Sequence, residues 1–335
     1  MNPFSILAGA ITGGAIKLAT LVALVAPVAL GIGLAAIVLG LIYKGIDRRI
    51  AARLQARVGP PLLQPFYDVR KLMVKETVLP ESAVGWVYSG APIVALAASI
   101  VLLLYIPFGP IPALLGGFGD LVLVVYLMML PSLAMVAGGM ASGSPFASLG
   151  AQREMVMMLS YEVPLATIAV AFAWRLGTFS LGAIAASPIW LSVGLLGAVG
   201  LGLLALVTMF VIPAELSKTP FDAPEAETEL AGGLLVEYSG KNLGLFYLAD
   251  AVKSLAVGAL AVAMFFPFPL GVGFWGELAW FLFKVFAVLV VSVSVMRVAL
   301  ARLQIDKAMR YYWGPMAAVG IGGLLLLAID CGVVL

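Results

Sequence analysis

The stretch LATLVALVAPVALGIGLAAIVLGLIY, residues 18–43, contains no charged side chain and runs into KGIDRRIAARLQARVGPP, residues 44–61. An apolar run of 18 or more residues is long enough to cross a bilayer as a helix. This one is too long for the apolar region of a signal peptide, and a basic segment follows it, so it reads as a retained membrane anchor. Comparable runs recur near 88–107, 119–141, 156–174, 190–213, 244–266, 277–299 and 314–334. They are continuous rather than alternating, which argues against a transmembrane β-barrel. The predicted fold is all-α, a polytopic membrane protein of eight transmembrane helices. Residues 1–335 form one integral membrane domain, with a basic loop at 44–80 and an acidic loop at 213–243.

Composition agrees with this plan. Hydrophobic residues make up 63% of the 335 and charged residues only 11%, where a soluble domain carries about 25% charged. There is no histidine and a single cysteine, Cys331. The commonest metal ligand is therefore missing, and an iron–sulfur cluster, which takes about four cysteines, cannot be held by this chain alone. No metal site and no nucleic-acid partner are expected. Fifteen of the 19 basic residues fall in loops or helix ends on one side, whereas Lys17 and Arg175 lie on the other and Lys253 and Lys284 fall within spans. The positive-inside rule then places the basic and acidic loops in the cytoplasm and both termini outside, in a multi-pass protein of the cell membrane. Gly194, Gly197, Gly200 and Gly202 give the fifth span a small-residue run suited to close helix packing.

The two loops carry the chemistry. In the first, Arg49, Arg53 and Arg57 recur every four residues on one helical face, Gly59-Pro60-Pro61 stops that helix, and a second short helix over 65–76 carries Asp68, Lys71 and Lys75. Amphipathic segments of this kind lie on anionic lipid or form a platform for a cytoplasmic partner. The second loop concentrates Glu215, Asp222, Glu225, Glu227, Glu229 and Glu237 against only Lys218 and Lys241. If 225–229 is helical, Glu225 and Glu229 share a face, and their repulsion favours proton retention near neutral pH, as a proton relay requires. A solvated acidic loop is the commoner fate of such a run, but Phe221, Leu230, Leu234 and Leu235 are interleaved with the acids and predict partial burial. Within the spans stand Glu162, Asp250, Lys253 and Lys284, and ionisable groups inside a membrane are functional candidates by default. Asp250 and Lys253, three apart, read as a paired charge. Glu162 has no opposite charge nearby in sequence.

Four stretches, ARLQARVGPPLLQPFYDVRKLMVKE (52–76), REMVMMLSYEVP (153–164), PFDAPEAETELAGGLLVEYSG (220–240) and LFYLAD (245–250), carry a family resemblance. The chain resembles the respiratory complex I membrane subunit that joins the peripheral and membrane arms. It equally resembles the homologous anchors of membrane-bound nickel–iron hydrogenases and sulfane sulfur reductases. Its compact passage from Arg57 to Gln64 is similar to the hydrogenase and sulfane reductase branch. The resemblance implies a non-catalytic subunit that anchors a redox module and couples electron transfer to ion translocation. It implies a proton pathway of Glu162, Glu215, Asp222, Glu225, Glu227, Glu229, Glu237, Asp250 and Lys253. Arg49, Arg53, Arg57, Gln64, Asp68, Lys71 and Lys75 would contact the redox module. The implied partners are hydrogenase-like large and small subunits, iron–sulfur subunits, antiporter-like membrane subunits and the lipid bilayer. Cofactors are expected only in those partners, as iron–sulfur clusters and a nickel–iron centre. The alternatives are the quinone-chamber subunit of a complex I-type oxidoreductase and a stand-alone secondary transporter, for which inverted repeats are not evident.

Overall fold

In hydrocarbon a backbone amide has no water to pair with, so each apolar run must close its own hydrogen bonds as a helix. The computed structural model describes residues 18–225 and 227–334, so Lys17 lies outside the described residues. Among them, eight helices are long and apolar enough to cross a membrane. The helices are α1 (Leu18–Leu54), the short surface helix α2 (Gln64–Val74), α3 (Gly85–Tyr105), α4 (Leu121–Ala141), α5 (Pro145–Leu176), α6 (Leu195–Glu215), α7 (Gly240–Phe265), α8 (Gly273–Ala299) and α9 (Ile305–Cys331).

Helix α7 is the axis. Every residue from Ala251 to Phe265 is buried, the pattern of a helix enclosed on all sides. It packs against α1, α2, α3, α4, α6 and α8, while α5, α6 and α9 form an adjoining layer. Close approach between α6 and α9 depends on Gly200, where a Cβ would stand 2.7 Å from the carbonyl oxygen of Gly323. Gly202, by contrast, faces open space.

Two helix boundaries differ from expectation in ways that matter for the site. Helix α1 does not end with its apolar run but continues to Leu54 as one rod. It stops before Gly59-Pro60-Pro61 because Ala56 takes a left-handed conformation, φ +55°, so Arg57 is not on the same helix face as Arg49 and Arg53. Helix α5 starts at Pro145, about three turns before its apolar run, and its first turns bring Arg153 and Glu154 into helix rather than loop. Proline at a first helical position needs no partner for the missing N–H, which makes Pro145 a natural start.

The acids near span ends serve as caps. Asp120 accepts from the Leu123 amide at 2.9 Å at the start of α4. Asp330, on α9, accepts from the Gly194 amide at 3.1 Å at the start of α6 and lies 3.9 Å from Arg175 of α5. Lys284 donates to the carbonyls of Phe266 and Phe268 at 2.8 and 3.0 Å, where α7 ends. Orphan groups at helix ends are satisfied best by such side chains. Gly200→Val forces a side chain into the α6–α9 contact. Overpacking of this kind is expected to lower stability by about 1–3 kcal/mol, measured as a lower thermal unfolding midpoint in detergent, whereas Gly202→Val should leave it unchanged.

Candidate functional site

The charged ends of α1, α5, α6 and α7 meet beneath the acidic loop. Lys44, Asp47 and Arg48 follow one another at helical spacing on α1. All three turn inward or sideways, because α1 lies against α7 on this face. Asp250 of α7 receives two ammonium groups on one carboxylate oxygen, Lys44 Nζ at 2.8 Å and Lys218 Nζ at 3.0 Å. Lys44 also donates to the Tyr247 carbonyl at 2.9 Å and sits over the Tyr247 ring at 3.7 Å. Arg48 joins Asp68 of α2 at 2.8 Å and the Tyr247 hydroxyl at 2.7 Å. Asp47 accepts from Ser294 Oγ at 2.6 Å and pairs with Arg297 at 3.1 Å. Ser294 reaches it from a π-helical turn, Val290–Val295, inside α8. Such turns recur at functional sites because they re-aim side chains.

One turn deeper, Lys253 Nζ lies 2.7 Å from Glu215 Oε1, with the lysine 3% and the glutamate 1% exposed. Its aligned hydrogen bonds go to Ser132 Oγ and the Glu215 carbonyl, each at 2.8 Å. Among the described residues both carboxylate oxygens of Glu215 lack an aligned donor, so charge rather than hydrogen-bond geometry holds the pair. Lys253 and Asp250 share a helix face but not a partnership. Each is matched across helices, since a single turn of α7 separates the shallow centre from the deep one.

A cavity of about 500 Å³ joins the two centres and is lined by Glu215, Ser217, Lys218, Glu225, Asp250 and Lys253. Burial raises the Glu225 carboxyl above its ordinary range; Lys218 opposes that rise and Asp250 adds to it. Burial would lower Lys218, but Asp250 and Glu225 more than compensate and raise it. Burial would raise Asp68, yet hydrogen bonds from Arg48 and Gln64 hold it below the usual carboxylate range.

The remaining acids are dispersed. Glu225 precedes the short helix Glu227–Leu230 instead of lying on it, so it does not share a helical face with Glu229. The Glu227 side chain lies outside the described residues. Glu229 is exposed and pairs with Arg153 of α5 at 2.6 Å, and Asp222 pairs with Arg302 at 2.8 Å. Glu237 is exposed; its carbonyl, not its carboxylate, is used, accepting from Tyr88 Oη at 2.7 Å. Glu162 is half-buried on α5, and its carboxylate makes no ion pair or side-chain hydrogen bond among the described residues. The buried acid that α5 contributes is Glu154, seven residues before Tyr161 and therefore on the same face. That spacing is the sign of it in the sequence. Lys44 and Asp47 likewise sit where Gly40, Tyr43 and Ala51 mark the packed stripe of α1. Arg49, Arg53, Arg57, Lys71 and Lys75 are exposed and project from the α1–α2 hairpin, whereas Gln64 and Asp68 hydrogen-bond each other at 2.9 Å beside Arg48. Among the described residues no cluster of Cys, Asp and Glu could hold a metal ion.

A multi-pass bundle with paired lysines and carboxylates around a polar cavity, roofed by an acidic loop, defines a membrane subunit built to hold charge inside the bilayer. The chain matches the NADH dehydrogenase family over residues 27–328. It is 32% identical over 316 residues to the H-type subunit of the NADH-quinone oxidoreductase of Anoxybacillus flavithermus, spanning 90% of this chain and 92% of that protein. It is 33% identical over 310 residues to the corresponding subunit from Brevibacillus brevis, spanning 88% and 90%. Among solved structures it is similar to a chain of the membrane-bound sulfane sulfur reductase, an archaeal respiratory membrane complex. That match has a TM-score of 0.79 and 32% identity, and covers 89% of this chain and 98% of that one. The chain belongs to the NADH dehydrogenase family, as a homologue of the H-type subunit of NADH-quinone oxidoreductases.

Removing one member of a buried pair leaves the other uncompensated. Lys253→Met is expected to lose about 3–5 kcal/mol, seen as a lower unfolding midpoint, and the double variant with Glu215→Leu to recover most of it. Equal stability of Lys253→Met and the parent would show that the two are not charge partners.

Proposed function

We propose that this chain is the membrane-anchoring, proton-conducting subunit of a respiratory oxidoreductase, coupling electron transfer in a docked iron–sulfur, hydrogenase-like module to ion translocation. The observation that carries this reading is the cavity beneath the acidic loop, which brings Glu225 and Lys218 to the same space as Asp250, Lys253 and Glu215 inside the bundle. The homologous subunits of NADH-quinone oxidoreductases and the similar chain of the sulfane sulfur reductase complex support it.

Arg49, Arg53, Arg57, Lys71 and Lys75 form the module-facing surface, and Gln64 and Asp68 brace the hairpin that presents them. The positive-inside rule puts this surface and the acidic loop in the cytoplasm and the termini outside. The whole chain acts as one membrane domain from which the loops at 44–80 and 213–243 extend. Iron–sulfur clusters and a nickel–iron centre belong to hydrogenase-like partners, and antiporter-like subunits continue the membrane arm. When the module gains an electron, the field at the loop becomes more negative, and carboxylates there bind protons more tightly. Glu225 sits between the loop surface and Asp250 and is the group best placed to pass that change inward. Asp222, Glu227, Glu229 and Glu237 collect protons at the loop. Glu162, half-buried on α5, would pass them to a neighbouring membrane subunit. A quinone-chamber role is the alternative, favoured by the quinone oxidoreductase relatives. Inhibition of the intact complex by a quinone-site ligand would establish it.

Glu225→Gln keeps size and hydrogen bonding but cannot carry the proton. It is expected to abolish ion translocation in vesicles while dye-linked redox activity of the complex persists; surviving translocation would remove Glu225 from the pathway. Reversing Arg49, Arg53 and Arg57 to Glu is expected to release the redox module at lower salt, read by co-purification across an ionic-strength series.

A further inference from the structure

Glu154 stands outside the polar cavity, yet it is 2% exposed and carries an ionisable group into the bundle. Its two carboxylate oxygens face Ser217 Oγ at 3.3 and 3.1 Å. The groups around it come from several elements. Lys253 belongs to α7, Ser132 to α4 and Glu215 to α6. Ser217 and Glu225 come from the loop, and Tyr161 from α5 itself. Among the described residues Lys253 is the one ammonium in that shell, and it is already engaged at 2.7 Å by Glu215. Two carboxylates and one ammonium, all within 3% exposure, leave one negative charge with no partner. A buried charge left so is not sustained, and the group neutralises instead. Glu215 holds the lysine at 2.7 Å, whereas Glu154 is hydrogen-bonded by the Ser217 hydroxyl.

Two further features single out the same spot. Ser217 adopts φ +49°, a left-handed conformation rare outside glycine and asparagine and concentrated at working sites. There its side chain both lines the cavity and meets Glu154. Among the described residues the buried Tyr161 hydroxyl has no hydrogen-bond partner of good geometry, and it interacts electrostatically with Glu215 and Glu154.

We propose that Glu154 is a proton-storage site, loaded from the cavity through the Ser217 hydroxyl, beside the fixed Lys253–Glu215 pair. The proposal deepens the relay reading and takes the source of its proton from it. In loading, a donor on the cavity side gives a proton to Ser217 Oγ while the hydrogen already on that oxygen passes to Glu154 Oε2. A new O–H bond forms on Glu154, the serine is left as it began, and the carboxylate becomes neutral. Release is the reverse. Lys253 neither gains nor loses a proton.

The test is infrared difference spectroscopy across a pH step on the intact membrane complex, isolated through this chain. The parent is expected to show the carbonyl band of a protonated carboxylic acid, and Glu154→Gln to lose it. Ser217→Gly relieves the left-handed strain, so it folds at least as well, and it keeps Glu154. It is expected to retain the band but to exchange the acid proton for deuterium more slowly. A band that survives Glu154→Gln overturns the storage site, and an unchanged exchange rate in Ser217→Gly overturns the route. Vesicle translocation in Glu225→Gln reads the loop relay separately, so failure of either idea is distinguishable from failure of the other.

Discussion

A lysine enclosed by apolar helices is the constraint around which this bundle is arranged. Lys253 lies on the most buried stretch of α7, where an unpaired ammonium would be untenable. It therefore demands an oxygen on each side: Ser132 from α4 and the carboxylate and carbonyl of Glu215 from the end of α6. Meeting that demand fixes where α6 must stop, and so where the acidic loop must begin. The loop then folds back over the bundle, with Phe221, Leu230 and Leu234 buried and Tyr238 stacked on Tyr88 at 4.2 Å.

The loop is held by charges of two kinds. At its rim, Arg153–Glu229 and Arg302–Asp222 are partly solvated pairs, which contribute little energy and break easily. At its root, Lys218–Asp250 and Lys253–Glu215 sit in lower dielectric, where each charge matters far more. A field arriving from outside therefore meets compliant contacts first and stiff ones later, a gradient suited to admitting protons without opening the bundle.

The helical plan is legible in the sequence because bilayer thickness imposes a length on every apolar run. All eight spans follow from that rule alone, and burial of part of the acidic loop follows from Phe221 and Leu234. Partnerships are not legible. Asp250 and Lys253 look like mates at three-residue spacing, but pairing across helices depends on which elements touch, and a helix in isolation does not reveal that. Glu154 is hidden because the apolar run of α5 begins after it, so hydropathy assigns it to a loop. Lys44 and Asp47 are lost among the many basic residues of the first loop, although their continuation of the small-residue stripe of α1 marks them as inward. Glu162 stands out in sequence as the acid of an apolar span, whereas among the described residues its carboxylate makes no ion pair.

At the opposite end of the bundle, Asp330 ties the start of α6 to the end of α9 and lies beside Arg175 at the end of α5. Three helices are thereby riveted at one pole, and at the other Tyr312 of α9 meets Tyr161 of α5 edge-on while its hydroxyl donates to the Phe210 carbonyl of α6 at 2.7 Å. Fastened at both ends, α5, α6 and α9 behave as one slab, a stiff wall behind the cavity that Glu215 and Lys253 share with the loop.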